Sequence, residues 1–252
     1  MFPPTKTAFA LYQEEILNGH ILSYKESLDS ILKGIIAPQT ITEFAGDSGS
    51  GKTQTCLQLC ISVQLPKCCG GLQGEALYIS TNNNFSSQRV RELSKNFVEH
   101  YKSLDGKTKS VDFNEDFILK HIHYIKVKDC SELIACIHLL GNYLSGKDVK
   151  LVVIDSVSFP IRLLDTKIRK LVLSRLLLEL RNLASLYQFA VILTNDLTTR
   201  VNEGKSYVTP SFGDSFYHLV NSRVMFSKRN TYFHAQIVKS TFYERKEAIF
   251  FI

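Results

Sequence analysis

Eight consecutive residues have the types and the spacing to bind a polyphosphate. They match the pattern G-x-x-x-x-G-K-[ST] at every fixed position, and they are Gly46, Asp47, Ser48, Gly49, Ser50, Gly51, Lys52 and Thr53. Glycines let the backbone turn tightly enough for several N–H groups to converge on one anion. In this pattern the lysine reaches the β- and γ-phosphates, and the hydroxyl of the last residue binds Mg²⁺. The segment therefore predicts a site for a Mg²⁺–polyphosphate.

The segments on either side of this loop predict the strand and the helix that such a site needs. Residues 40–45 have the composition of a short strand, and residues 54–61 carry apolar side chains at helical spacing. A helix that begins at the loop also favours an anion at its N-terminus. The alternative, a Gly/Ser turn with an incidental lysine, is the weaker interpretation because it requires neither element.

A carboxylate further along the chain completes the predicted site. The segment 150–155 has a continuous apolar run at 151–154 and ends in Asp155, which is typical of a central parallel strand covered on both faces. Such a strand delivers its last side chain to the edge where α/β proteins bind ligands. We therefore expect Asp155 to hold the same Mg²⁺ as Thr53, directly or through water. A capping or solvated aspartate is the alternative.

The composition favours one intracellular α/β domain. The chain has 252 residues, 44% of them hydrophobic, and a formal net charge of +6 that suits a polyanionic partner without proving one. No apolar run approaches the roughly 18 residues that a membrane span needs, so no integral membrane segment is expected. The six cysteines show no C-x-x-C spacing, and no secretory segment precedes them. We therefore expect reduced cysteines in packing or loops rather than disulfides or a zinc site.

Hydrophobic periodicity predicts strands and helices that alternate along most of the chain. The predicted strands are 75–80, 121–127, 150–155 and 189–195, and the predicted helices are 86–102, 131–145 and 166–187. A hairpin is expected at 223–227 and 232–238, with a closing strand at 247–252. This order predicts an α/β fold in which a mixed sheet has a parallel centre, C-terminal antiparallel strands and helices on both faces. We expect residues 25–252 to form this domain and residues 1–24 to be an N-terminal segment or linker.

Two polar stretches and two neighbouring histidines are interpreted as surface features. Residues 103–116 are expected to be a surface insertion and residues 198–212 a polar loop, and Ser131 is expected to cap the helix that follows it. His121 and His123 would share one face of a strand, as metal ligands sometimes do. Because no third ligand lies near them in the sequence, we interpret both as ordinary surface histidines.

Short motifs spread over nearly the whole chain occur together in one family. They are Leu28-Asp29-Ser30-Ile31-Leu32, Gly51-Lys52-Thr53-Gln54, Gln64-Leu65-Pro66, Gly70-Gly71, Phe85 with Arg89-Val90, and Val191-Ile192-Leu193-Thr194-Asn195. With them the chain resembles the RecA-type recombinases of homologous recombination, in their eukaryotic branch. The resemblance runs from about Thr7 to Ile252. Phe159-Pro160 and Thr198-Thr199 are most similar to the C-type group of paralogues, which are accessory factors of heteromeric complexes.

The resemblance implies a RecA-like P-loop NTPase core that binds ATP with Mg²⁺, and it implies roles for residues outside the loop. Arg89 matches an arginine that stacks on the adenine ring, a contact that suits a guanidinium plane. Arg162 matches the first DNA loop of the family, whereas Arg200 and Lys205 match the second. His218 matches a relay between the nucleotide and the DNA loops. Without the resemblance, Arg162 and Arg200 would be interpreted as solvated charges.

Two residues differ from the family at positions that act in ATP hydrolysis. Asn82 stands where the family has the glutamate that activates the attacking water. An amide can orient a water but cannot accept its proton, so hydrolysis should fall by on the order of 10²- to 10⁴-fold. Asp196 stands where an amide normally senses the γ-phosphate. It could repel ATP, contact Mg²⁺ beside Asp155, or serve as a displaced base, and the sequence leaves these three alternatives open.

Other departures weaken the expectation of a self-assembling strand-exchange filament. No counterpart of the family's N-terminal helical domain is expected, and the cap that reaches a neighbour's nucleotide reads Lys239-Ser240-Thr241, without its proline. The first DNA loop is expected to be short, with Leu163 to Lys167 between Arg162 and the next helix.

The resemblance therefore implies an ATP-binding accessory factor in homologous recombination repair of DNA double-strand breaks, with weak or absent hydrolysis. Its implied partners are other recombinase paralogues, the recombinase filament, and single-stranded or branched DNA, and its implied location is the nucleus. A meiotic role stays open. An active DNA-dependent ATPase and a purely structural subunit with a relic nucleotide site are the alternatives.

Overall fold

A mixed sheet forms the centre of the computed structural model, which describes residues 5–104, 113–202, 204–241 and 244–251. The strands of the described chain are β1 (Ile41–Gly46), β2 (Glu75–Ser80), β3 (Ile122–Lys126), β4 (Val149–Asp155), β5 (Ala190–Asn195), β6 (Leu197–Asn202), β7 (Lys205–Pro210), β8 (Ser222–Arg229), β9 (Tyr232–Lys239) and β10 (Glu247–Phe250). The main sheet has the order β10-β9-β8-β1-β5-β4-β2-β3, whereas β6 and β7 pair separately.

The sheet has a parallel centre and an antiparallel end. Neighbouring strands from β8 to β3 run parallel, and β9 and β10 continue the sheet beyond β8 in antiparallel fashion. The predicted fold class is therefore confirmed. The carboxyl ends of β1, β2, β4 and β5 meet at one edge of the sheet, which is where α/β proteins place their ligands.

Helices cover both faces of this sheet. They are α1 (Ala8–Asn18), α2 (Glu26–Leu32), α3 (Lys52–Ser62), α4 (Ser87–Leu104), α5 (Glu115–Lys120), α6 (Cys130–Leu144), α7 (Ser158–Ile161), α8 (Thr166–Tyr187) and α9 (Gly213–Leu219). Within β4, Leu151 and Val153 pack into the core beneath α3 and α4, whereas Val152 and Ile154 pack into the core beneath α6 and α8. Burial on both faces explains the continuous apolar run in the sequence. None of the helices described has the length and apolarity that a bilayer crossing demands.

Segments near both ends of the described chain meet at the antiparallel end of the sheet. Helix α2 packs against β9 and β10, and Leu28 of α2 and Phe250 of β10 are buried in the same core. Phe233 of β9 packs beside Phe250, with 5.7 Å between the ring centroids. The last two strands are thus packed against α2.

The segment predicted as a polar loop, 198–212, is largely regular. Strands β6 and β7 form an antiparallel hairpin, and α9 follows at Gly213. The prediction was wrong because this hairpin is solvent-exposed along most of its length, so its sequence lacks the apolar alternation of a half-buried strand. The predicted insertion 103–116 includes the end of α4 and the start of α5, and its residues 105–112 lie outside the described ones.

Two local predictions were also wrong. Asp129, not Ser131, caps α6, because its carboxylate accepts a hydrogen bond from the Glu132 N–H at 2.9 Å. His121 ends α5 as its C-cap and lies outside β3, so it does not share a strand face with His123. The imidazole of His123 instead contacts Glu75 Oε2 at 2.7 Å.

Candidate functional site: a nucleotide cleft

The predicted phosphate loop joins β1 to α3 at the carboxyl edge of the sheet. Gly51 has φ of 97°, a left-handed conformation that glycine adopts at little cost, and α3 begins at the next residue. Gly46 lies so close to the backbone of β8 that a Cβ would collide with the Phe226 carbonyl. These two glycines allow the backbone to close into a cradle at a helix N-terminus, where an anion is favoured.

Lys52 is held inside this cradle. Its side chain is 8% exposed, and its ammonium donates hydrogen bonds to the carbonyls of Gly46 at 2.6 Å and Asp47 at 2.8 Å. A third partner lies across the cleft, where Asp196 Oδ1 is 3.5 Å from Lys52 Nζ. The cation that would contact β- and γ-phosphates is therefore positioned by the backbone and faced by a carboxylate.

We call Thr53, Tyr78, Asp155 and Thr194 the metal side of the cleft. Asp155 is 2% exposed. Its Oδ2 accepts hydrogen bonds from the hydroxyls of Thr53 at 2.7 Å and Tyr78 at 2.6 Å, and its Oδ1 accepts one from Thr194 at 2.6 Å. Burial and the Asp155 carboxylate raise the pKa of Tyr78, so its phenol remains a donor. Three hydroxyls thus fix the orientation of one carboxylate.

Thr53 and Asp155 were predicted from the sequence as site residues, whereas Tyr78 and Thr194 were not. Both are polar residues in largely apolar, largely buried strands, which marks them in the sequence but does not identify Asp155 as their partner. Cys56, in α3, lies near Asp155. Burial and the negative charge of Asp155 raise the pKa of the Cys56 thiol well above its usual value. Cys56 and Cys60 are free and buried, in line with the packing role expected of them.

We call Asn82, Asn84 and Asp196 the γ-phosphate side of the cleft. Asn82 Oδ1 accepts a hydrogen bond from the Asn84 N–H at 3.3 Å, which shapes the turn after β2. Asp196 follows β5, and its Oδ2 accepts a hydrogen bond from the Ser158 hydroxyl at 2.9 Å. Ser158 was not singled out from the sequence, because its role depends on the packing of α7 beside the end of β5.

The two sides enclose a cleft of about 350 Å³. It is lined by Ser48, Gly49, Ser50, Gly51, Lys52, Thr53, Gln54, Asn82, Asn84, Asp155, Asp196 and Phe233. Ser50 Oγ is buried here and has no hydrogen-bond partner among the described residues. A glycine cradle, a buried ammonium, an orphaned hydroxyl and a Thr–Asp pair are the groups that a Mg²⁺–nucleotide requires, so the residues present fit one.

Arg89 does not line the cleft but contacts its rim. Its Nε donates a hydrogen bond to Gln54 Oε1 at 3.0 Å, and its Nη1 lies 3.1 Å from Glu92 Oε2. Gln54 does line the cleft. The predicted adenine-stacking residue is therefore connected to the nucleotide cleft through one side chain.

The predicted DNA-binding cations lie on exposed segments that come after the cleft residues Asp155 and Asp196 in the chain. Arg162 ends α7, with its guanidinium 5.0 Å from the centroid of the Phe159 ring. Arg200 is opposite Tyr207 in the β6–β7 hairpin, and directly opposed side chains share one face of an antiparallel pair. Lys205, two residues before Tyr207, lies on that face as well. The hairpin thus presents two cations and one exposed aromatic ring on one face.

Two other residues named by the resemblance lie away from the cleft. His218 is exposed in the last turn of α9, with its ring 5.7 Å from that of Tyr217. Lys239, at the position of the family's cap, donates hydrogen bonds to the carbonyls of Tyr217 at 2.7 Å and Val220 at 2.6 Å. Burial lowers the pKa of Lys239. This lysine therefore binds the end of α9 in its own chain. The connection from Arg162 to α8 is short, since α8 begins at Thr166.

A buried ion pair joins the cradle strand β1 to β8, and Asn195 connects it to the β6–β7 hairpin. Glu43 is fully buried, and its Oε2 lies 2.6 Å from Arg223 Nε. Asn195 Nδ2 donates hydrogen bonds to Glu43 Oε1 at 2.7 Å and to the Ser211 carbonyl at 3.0 Å. Ser211 follows β7, so Asn195 connects the sheet beside the phosphate loop to the end of the β6–β7 hairpin.

Comparison with known proteins identifies one matching family model and several similar proteins. The family model described as Rad51 matches residues 15–252. "DNA repair protein RAD51 homolog 3" of Cricetulus griseus is 35% identical, over 93% of this chain and 67% of its own length. The protein of the same name from Dictyostelium discoideum is 34% identical, over 86% of this chain and 59% of its own. "DNA repair and recombination protein RadA" of Aeropyrum pernix is 34% identical, over 77% of this chain and 58% of its own.

Proposed function

Because the chain belongs to the Rad51 family, we propose that it is an ATP-binding accessory factor in homologous recombination repair of DNA double-strand breaks. The observation that carries this proposal is the convergence of Lys52, Thr53 and Asp155 in one cleft. The relatives named as DNA repair proteins support the process. The chain spans between 58% and 67% of the length of these relatives, and the activity is proposed for this portion.

In this proposal the cradle binds the phosphates and the metal side holds Mg²⁺. Lys52 would exchange its carbonyl partners for phosphate oxygens, and Thr53 and Asp155 would hold the ion directly or through water. When bound, Mg²⁺–ATP supplies a compact charge that neighbouring segments can contact. Tyr78 and Thr194 would keep Asp155 in orientation, as second-layer partners do at metal sites.

Hydrolysis is proposed to be weak because Asn82 occupies the position at which the resemblance places the general base. Asn82 lines the cleft, and an amide cannot accept a proton from water. Loss of a general base lowers a rate by about 10²- to 10⁴-fold. ATP would then act by differential binding, so that it sets the population of the assembly-competent state rather than driving a cycle.

The proposed partners follow from the exposed segments and from the family. Arg162 and the Arg200–Lys205–Tyr207 face of the hairpin offer cations for phosphates and a ring for stacking, a combination that suits single-stranded DNA. Other recombinase paralogues and the recombinase filament are the proposed protein partners, with the nucleus as location. Residues 25–252 would be the ATPase domain, and residues 1–24 a segment that docks on the core or on a neighbour.

The test is recovery of the full-length protein from native cells, with identification of its bound nucleotide and partners. We expect another recombinase paralogue and an adenine nucleotide. Release of that partner when the nucleotide is removed by dialysis would support nucleotide-controlled assembly. Recovery as a filament of this chain alone would contradict the accessory role.

An active DNA-dependent ATPase is the second candidate, and one observation favours it. Asp196 brings a carboxylate into the cleft and is oriented by Ser158, so it could accept a proton from water. Steady-state phosphate release, with and without single-stranded DNA, separates the two functions. Turnover that DNA stimulates and that Asp196→Asn abolishes would establish the ATPase, whereas turnover that is negligible in both proteins would support the accessory factor.

A further inference from the structure

Asp196 is held by contacts at both carboxylate oxygens. Oδ1 faces the Lys52 ammonium at 3.5 Å, and Oδ2 accepts the Ser158 hydroxyl at 2.9 Å. The main-chain N–H of Asp196 also donates to Ser158 Oγ, at 3.3 Å. The carboxylate therefore has a defined place, on the side of the cleft opposite the phosphate loop.

This place is next to the cation that a γ-phosphate also needs. Lys52 is the buried ammonium of the cradle and binds the β- and γ-phosphates in sites of this type. A carboxylate already paired with it competes with a γ-phosphate for the same charge. It also repels that phosphate, because like charges within a few ångströms of each other disfavour ionisation and binding in a partly buried site. A diphosphate ends one phosphate earlier and escapes most of this repulsion.

We propose that Asp196 is a specificity determinant that makes the cleft favour ADP over ATP. The proposal rests on the nucleotide-binding function proposed above and adds that ATP, the nucleotide proposed to set assembly, binds this cleft against competition from ADP. ATP must displace the carboxylate from Lys52 and remain beside it, whereas ADP does not carry the phosphate that meets it. An amide at this position would leave the hydrogen bond from Ser158 in place and remove the charge.

The experiment compares the dissociation constants of ADP and ATP for the native protein and for Asp196→Asn, by equilibrium dialysis with Mg²⁺ equimolar to nucleotide. We expect the substitution to lower the ratio of the ATP Kd to the ADP Kd by at least about tenfold. The ratio is the informative quantity, because release of Lys52 from its carboxylate partner helps both nucleotides. Asp196→Gln provides a second uncharged variant should the first fold poorly.

Asp148→Asn is the matched control. Asp148 Oδ1 lies 2.7 Å from Lys150 Nζ, so this variant also removes a carboxylate from a lysine, but it does so before β4, at the opposite edge of the sheet. We expect it to leave the ratio of the two constants unchanged. An equal fall in the ratio with Asp148→Asn would overturn the assignment to Asp196.

The remaining outcomes separate the two proposals. If the native protein binds neither nucleotide, the proposed function itself fails. If it binds both and Asp196→Asn leaves the ratio within twofold, only the selectivity proposal fails. If the native protein binds ATP as tightly as ADP at equimolar Mg²⁺, the repulsion proposed here is wrong.

Discussion

The metal side and the γ-phosphate side of the cleft are built from different kinds of groups. On the metal side, three hydroxyls from α3, β2 and β5 converge on Asp155, which is buried. On the γ-phosphate side, two asparagines lie in an exposed turn, and the Asp196 side chain is 42% exposed. The metal side presents one fixed carboxylate that suits a cation. The γ-phosphate side presents two amides and one partly exposed carboxylate near the place where hydrolysis would need a base.

The difference predicts that binding and hydrolysis of a nucleotide would depend on separate parts of one cleft. Orientation of the metal ligand comes from buried strands, which packing keeps in place. Proton transfer depends on side chains at the ends of β2 and β5, which can change without disturbing the core. A cleft of this kind can keep its affinity while its turnover falls.

The largest expected effect tests whether the cleft binds nucleotide at all. Lys52→Ala removes the buried ammonium and should weaken binding of both ADP and ATP on the order of 100-fold, because charge-assisted hydrogen bonds to phosphate are lost. Equilibrium dialysis measures this. Lys150→Ala, a lysine at the opposite edge of the sheet, is the control. Intact partner binding and unchanged repair in Lys52→Ala would favour a structural subunit with a relic site.

The next effect tests whether the γ-phosphate side limits turnover. Asn82→Glu supplies a carboxylate at the end of β2 and should raise the rate of ATP hydrolysis by about 10- to 100-fold, since a positioned base contributes about that much or more. Phosphate release under single-turnover conditions measures the rate. The same change at Asn84, which also lines the cleft, is expected to have little effect. A larger gain with Asn84→Glu would mean that the base position is misassigned.

A smaller effect tests the orientation of the metal ligand. Tyr78→Phe removes one of the three hydroxyls on Asp155 and should weaken the apparent affinity for Mg²⁺ about tenfold, because partners of a metal ligand typically contribute that much. Titration of nucleotide binding with Mg²⁺ measures it, and binding without Mg²⁺ should not change. Tyr124→Phe, on the exposed face of β3, serves as the control. Equal losses with and without Mg²⁺ would point to general damage to the cleft.

The smallest expected effect tests whether Arg200 of the β6–β7 hairpin contacts DNA without contributing to nucleotide binding. Arg200→Ala should reduce the slope of log affinity for single-stranded DNA against log salt by about 0.7, because one phosphate contact is lost. Nucleotide affinity should stay the same. The slope comes from fluorescence anisotropy at several salt concentrations, with the cation Lys120 at the end of α5 replaced by alanine as a control. A slope that does not change would exclude Arg200 from DNA contact.

The sequence allowed prediction of the groups that depend on local pattern. The phosphate loop follows from glycine spacing, and Asp155 follows from the apolar run before it. The partners of Asp155 could not be predicted in this way, because Tyr78 and Thr194 reach it only through the strand order, in which β2 and β5 flank β4. Ser158 was missed because it reaches Asp196 only through the packing of α7 beside the end of β5.

Elements of the fold were likewise predicted where the local pattern is strong and missed where it is weak. Buried strands carry continuous apolar runs and the long helix α8 has helical periodicity, and both were predicted closely. The β6–β7 hairpin was missed because both its faces are largely exposed, so no apolar alternation marks it. The start of α6 was misjudged because Asp129 and Ser131 are equally good capping residues and only the backbone distinguishes them.

One aromatic side chain ties the outer wall of the cleft to distant parts of the chain. Phe233 borders the cleft, rests on Phe250, and through β10 depends on α2. The wall is therefore supported from behind by segments that bind no phosphate. Loosening α2 or β10 should widen the opening of the cleft, so affinity for nucleotide could change through substitutions far from every residue that touches it.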